Sequence, residues 1–223
     1  GSPGVTRASI SLSPSGLQKL LPRRNDDDLT PDLLPYILSL NNATSIDSPF
    51  MSETWSAKVS DAIYQQEALE DILQGASVTT EFPSHRLCDQ LETVAKVMST
   101  HQERGADRDL FYVSYGGWDT HSNAIARMEE KFDNVNTCLS AFVQELNTTG
   151  LWESTVLAQF SEFGRTLDPN SGPNDDGTEK GADHAWGGNH FVIGGSLKGG
   201  QVLGQYPSDF TDAGPLALRR GRI

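Results

Sequence analysis

The chain has 223 residues and a formal net charge of −13, from 17 Lys and Arg against 30 Asp and Glu. That balance argues against nucleic acid as a principal partner, and it would repel an anionic polymer unless cations or a well-placed arginine reverse the local field. A hydrophobic content of 36% and a mean hydropathy of −0.42 are modest for a layered sheet, and no run of about twenty apolar residues could span a membrane.

In chain order, residues 1–53 read as an irregular, loop-rich segment. Arg23 and Arg24 switch abruptly to Asp26, Asp27 and Asp28, prolines punctuate the stretch, and one short helix is expected near residues 31–40. The twin arginines are not an export signal, because no apolar stretch follows them. Residues 54–223 are expected to form one α/β domain, opening with helices over 54–74 and 84–103. In the second helix, Leu87, Leu91, Val94 and Met98 form a stripe suited to core packing. His85 and His101, at its ends, read as capping or surface residues. Cys88 and Cys138 have no metal-type spacing, so a disulfide and two buried thiols are equally compatible with the sequence.

The run Asp109-Leu110-Phe111-Tyr112-Val113-Ser114-Tyr115 is rich in β-branched and aromatic residues and reads as a buried strand. Gly116-Gly117-Trp118-Asp119-Thr120-His121 follows, with glycines that permit a sharp turn and a carboxylate and an imidazole two residues apart. An isolated pair of this kind is more often an ordinary surface loop. At the carboxyl end of a strand, however, it stands where open parallel sheets bind ligands. Over residues 123–147, Ile125, Met128, Phe132, Val135, Leu139 and Phe142 recur at helical spacing, and Gly150 is suited to end the helix. A second strand is expected over 154–161. Strand, helix and strand make a βαβ unit at 109–161 with parallel strands, which sets the loop after residue 161 beside the loop after residue 115.

That loop is Ser161-Glu162-Phe163-Gly164-Arg165-Thr166. Glu162 has the chemistry of a metal ligand, and Arg165 offers a planar fork for phosphate, sulfate or carboxylate. A salt bridge within the loop is an equally good reading of the pair taken alone. The stretch from Asp168 to Glu179 has some acidic positions of a calcium loop but lacks its obligatory glycine, and reads as a polar insertion. The glycine-rich site loop at 181–200 then brings Asp183, His184 and His190. A structural histidine hydrogen-bonded to a neighbouring carboxylate is the bland alternative for each. Taken together, Asp119, His121, Asp183, His184 and His190 favour one shared site over coincidence.

GGWDTH, the long helix, SEFGRT and DHAWGGNHFVIGGSLKGG, followed by GQYP, resemble the family known as domain of unknown function 1501. That family is similar in plan to the alkaline phosphatase and sulfatase superfamily. The resemblance implies a largely parallel sheet with flanking helices, an alkaline-phosphatase-like fold, here incomplete. It implies Asp119, His121, Asp183, His184 and His190 as metal ligands, with Glu162 near a further ligand position although SEFGRT departs from the usual pattern there. Mixed Asp and His ligation favours zinc or manganese over magnesium. The implied activity is metal-dependent hydrolysis of small anionic phosphate or sulfate esters, with Arg165 holding the anion. The family's usual nucleophile-bearing glycine-rich segment has no counterpart in residues 1–108. The expected partner is therefore the missing remainder of a larger polypeptide or another subunit, and the chain by itself could hold no metal. A non-catalytic scaffold or binding subunit is the alternative. The resemblance also implies an extracytoplasmic or secreted protein.

Overall fold

The computed structural model describes residues 12–13, 16–17, 34–41, 50–166, 181–185, 188–206, 208–209 and 214. Most of the irregular segment expected over 1–53 and the polar stretch at 168–179 lie outside the described residues. The elements in order are β1 (Leu12–Ser13), β2 (Gly16–Leu17), α1 (Leu34–Asn41), α2 (Phe50–Gly75), α3 (Arg86–Ser99), α4 (Ala124–Thr148), a 3-10 turn (Trp152–Ser154), β3 (Val156–Gln159), β4 (Gly164–Arg165), β5 (His184–Ala185) and β6 (Phe191–Gly194).

The chain divides into two compact units, one of residues 1–78 and 92–111 and the other of residues 79–91 and 112–223. The break expected between residues 53 and 54 falls inside α2. In the first unit β1 and β2 pair antiparallel, and α1 lies against α2. Ile63 and Leu69 are buried on α2, and Val94, Ala95 and Val97 on the later turns of α3. Beyond α3, Arg104 makes a two-pronged ion pair with Asp109 and also donates to the Val97 carbonyl oxygen at 2.9 Å, which satisfies the end of the helix.

The second unit is built on α4. Gly150, two residues beyond the helix, has φ of 72° and donates its N–H to the Asn147 carbonyl, as a C-terminal glycine should. The apolar pattern of α4 divides between two faces. Cys138, Ala141, Phe142, Glu145 and Leu146 are buried. Phe132, Val135, Leu139 and Val143 instead line an open groove of about 720 Å³ that Phe191 and Ile193 of β6 complete. Cys138 is joined to Cys88 in the first turns of α3 by a disulfide. Glu145 accepts hydrogen bonds from Thr80 N–H at 2.8 Å, from Thr79 N–H at 3.1 Å and from the Thr79 hydroxyl at 2.9 Å.

β3 forms near its expected place, but its partner is β6, antiparallel, with Leu157 opposite Ile193 and Ala158 opposite Val192. β4 and β5 are likewise antiparallel, with Arg165 opposite His184. Every strand pairing among the described residues is two-stranded and antiparallel, so the largely parallel, alkaline-phosphatase-like sheet is not among them. Residues 109–115 are not a strand. Leu110 and Tyr112 are 98% and 82% exposed, and the backbone of Ser114 pairs with the side-chain amide of Gln90 rather than with a neighbouring strand. The βαβ unit expected at 109–161 therefore lacks its first strand.

Candidate functional site

Residues 115–121 form the turn that carries Asp119 and His121 into the second unit's surface. Gly117 has φ of 80°, a conformation that side chains disfavour. The Trp118 indole N–H folds back to donate to the Tyr115 carbonyl oxygen at 2.6 Å. Thr120 is buried, 2% exposed, and the segment leading into β5 runs against its backbone. There Gly181 donates its N–H to the His121 carbonyl oxygen at 2.9 Å, and a Cβ at Gly181 would stand 1.8 Å from the Thr120 carbonyl oxygen. Only glycine allows this approach, which brings the DH pair of β5 to the DTH turn.

Four side chains then converge. Asp119 Oδ1 lies 2.9 Å from His184 Nε2, 3.1 Å from His121 Nε2 and 2.8 Å from Arg165 Nη2. Each imidazole is set to donate its Nε2–H to the same oxygen. The two imidazole planes are within 16° of parallel, with centroids 6.5 Å apart. Phe163 stacks on the His184 ring at 3.9 Å, and Arg165 lies over Phe163 at 5.3 Å. Hydrogen bonds from His184, against an opposing desolvation, and then from Arg165 and His121 hold the Asp119 carboxyl below the usual aspartate range.

Arg165 does more than pair with Asp119. Its guanidinium also donates to the carbonyl oxygens of Ala182 and Trp118, the latter at 2.8 Å, so it ties the β5 strand to the turn. Its Nε is buried without a hydrogen-bond partner. In this arrangement Arg165 is a clamp on the loop backbones, and both of its terminal nitrogens are engaged.

The remaining candidates stand differently. Asp183 enters through its backbone, with Thr166 N–H donating to its carbonyl at 3.0 Å and its own N–H donating to the Thr166 hydroxyl at 3.1 Å. Asp183, just before β5, is half-buried, while His184, the first residue of β5, is exposed. Glu162 and His190 are exposed and make no hydrogen bond or ion pair with Asp119. Asn189, beside His190, accepts a hydrogen bond from Tyr206 at 2.8 Å. The structure thus brings together Asp119, His121, His184 and Arg165 and does not bring in Glu162 or His190. Sequence reasoning missed Phe163, whose stacking on His184 has no signal in the sequence beyond its place between Glu162 and Arg165.

A second grouping, His85 with Cys88 and Cys138, places ligand-type atoms within 4.8 Å of one another, but the disulfide consumes both sulfurs. It offers no metal site in this state. No helix among the described residues is long and apolar enough to cross a membrane.

Residues 6–214 match the sequence model of a family described as a protein of unknown function, DUF1501. The chain belongs to that family. No curated protein and no solved structure matches the chain. Within this DUF1501 member the matched region includes every residue of the Asp119 cluster.

Proposed function

We propose that the Asp119 cluster is a divalent-cation site of a metal-dependent hydrolase-like domain acting on phosphate or sulfate esters. The observation that carries this reading is the convergence of His121 Nε2 and His184 Nε2 on one Asp119 oxygen. One carboxylate and two imidazoles are a donor set suited to zinc or manganese; their three ligand atoms do not all lie within 4.8 Å of one another as they stand, so the two imidazoles would have to close on Asp119 for one cation to bind all three. A cation bound there would polarise an ester oxygen and stabilise the charge that develops on it. Arg165 holds Asp119 and the two loop backbones in register. Were Asp119 to ligate a cation, the Arg165 Nη2–H that it now occupies would be available to an anionic oxygen. Phe163 fixes the plane of His184 and shields one of its faces from water.

The ester class rests on the resemblance to phosphatases and sulfatases. An oxidising, extracytoplasmic setting is the reading that the Cys88–Cys138 disulfide supports.

The test is elemental analysis of the purified chain beside an Asp119→Ala/His184→Ala double variant of equal folded content. Stoichiometric zinc or manganese in the parent, lost in the variant, supports the site and justifies assays with aryl phosphates and aryl sulfates. A folded parent that takes up neither metal when both are supplied overturns it.

The second reading, a non-catalytic scaffold or binding subunit, is favoured by one observation. Val156 and Val192, each 58% exposed, leave apolar side chains uncovered on the β3–β6 sheet, and Phe160, just beyond β3, is 69% exposed. An exposed apolar face of this kind is what an interaction surface or an uncompleted layer presents.

A further inference from the structure

The turn that carries Asp119 is gripped by a residue outside the four-membered cluster. We propose that Lys131 of α4 is a positioning residue for Asp119, an inference that rests on the cation-site reading.

Lys131 Nζ donates to the Gly116 carbonyl oxygen at 2.9 Å. The same ammonium lies 4.4 Å from the centroid of Tyr115 and 5.4 Å from that of Trp118, so it is held by two ring faces as well as by a carbonyl. Its path explains the second glycine of the turn. A Cβ at Gly117 would lie 3.0 Å from Lys131 Nζ and 3.6 Å from Cε, in a residue whose φ of 80° already disfavours a side chain.

The neighbours of Lys131 on α4 reinforce the grip. Phe132 packs against Trp118 with centroids 5.4 Å apart, and the Asn134 amide donates to the Tyr115 hydroxyl at 3.4 Å. Tyr115, Gly116 and Trp118 are therefore each fastened to one helix. Asp119 is the next residue, and the Trp118 carbonyl oxygen is where Arg165 takes hold from the opposite side. A lysine that was merely solvated would leave the Gly116 carbonyl without its hold on α4. With Lys131 in place, the turn that carries Asp119 is held on α4 independently of the two imidazoles.

The experiment compares the parent chain with Lys131→Met, which keeps most of the stem but removes the ammonium, and with Lys131→Arg, which restores a cation and donors. Three quantities are read: zinc affinity by chelator competition, the visible absorption of the cobalt-substituted chain, and the acylation rates of His121 and His184 by diethyl pyrocarbonate, located by peptide mass. Lys131→Met is expected to bind zinc about tenfold more weakly, as loss of a group that orients a ligand does. It should also shift the cobalt bands and acylate both histidines faster, with Lys131→Arg returning toward the parent. Parent-like values for all three in Lys131→Met would overturn the proposal and leave the cation site standing. If the parent binds no cation, the cation-site reading fails, and the acylation rates alone decide the role of Lys131: unchanged rates overturn it, and faster rates uphold its hold on the turn. If Lys131→Met does not fold, Lys131→Gln takes its place with the same readouts.

Discussion

Among the described residues, Glu145 and Asp119 are the two carboxylates whose surroundings hold them below their ordinary titration range, and they do so in opposite settings. Glu145 is 2% exposed and is met by two backbone N–H groups and a hydroxyl, all neutral donors. Burial pushes its carboxyl upward, and the hydrogen bonds from Thr80 and Thr79 outweigh it. The side chain of Asp119 is 45% exposed and is met by two imidazoles and a guanidinium, groups that can hold or exchange charge. A buried carboxylate satisfied by the backbone is a structural pin. An exposed one on which imidazoles converge can trade its partners for a ligand, which is why the site is sought at Asp119 and structural rigidity at Glu145.

The largest effect expected is on the pinned side. The Cys88–Cys138 bond closes a loop with a sequence separation of 50. On a chain-entropy account, removing it through Cys88→Ala/Cys138→Ala costs about 4 kcal/mol, read as a lower urea midpoint. If the midpoint barely moves, α3 and α4 are held by packing alone and the contrast with the site region weakens.

Gly181→Ala comes next. Its new methyl would meet the Thr120 carbonyl oxygen, and a backbone shift to relieve that costs about 1–3 kcal/mol and separates His184 from Asp119. The change should appear in both the urea midpoint and zinc affinity. A loss confined to stability would mean that the β5 strand does not set the distance from His184 to Asp119.

Glu145→Gln leaves the Thr79 and Thr80 donors short of a full acceptor, at about 1–3 kcal/mol. The sign of its pH dependence follows from the lowered carboxyl. The contribution of Glu145 is complete above the ordinary glutamate value of about 4.3 and fades as pH falls through the lower value of the folded chain. Stability measured from pH 7 downward should therefore drop more steeply in the parent than in Glu145→Gln, while zinc affinity at pH 7 stays the same. Equal slopes would remove Glu145 from the list of groups that govern acid sensitivity.

The smallest stability effect belongs to Asp119→Asn. An exposed substitution should leave the urea midpoint close to that of the parent while zinc affinity collapses. A large loss of stability instead would recast the cluster as a second structural pin and favour the scaffold reading.

The helices were legible from periodicity because a helix satisfies its own backbone and needs only an apolar face to dock. The 124–148 helix and the Gly150 stop were readable on those grounds. What that periodicity could not show was how many faces a stripe would make. Phe142 and Leu146 went inward, while Phe132 and Val135 were left lining an open groove. The strands were less legible because each depends on a partner elsewhere in the chain. The run at 109–115 has strand-forming residues, yet Gln90 answers Ser114 where a strand would be needed.

For the site, the chemistry of DTH and DH and their glycine-rich surroundings marked Asp119, His121 and His184 before any contact was seen. The order of residues alone also put Glu162, Asp183 and His190 among them, because residue type and spacing report what a side chain can do and not which way it faces. By itself the sequence determined the residue types able to hold a cation, the glycines that let two loops meet, and the helix that underlies them. Only the tertiary structure decided that Arg165 is spent on the Trp118 and Ala182 carbonyls, that Lys131 grips the turn, and that β3 returns antiparallel to β6. Those outcomes turn on distances between segments far apart in the chain, which periodicity and local propensity do not encode.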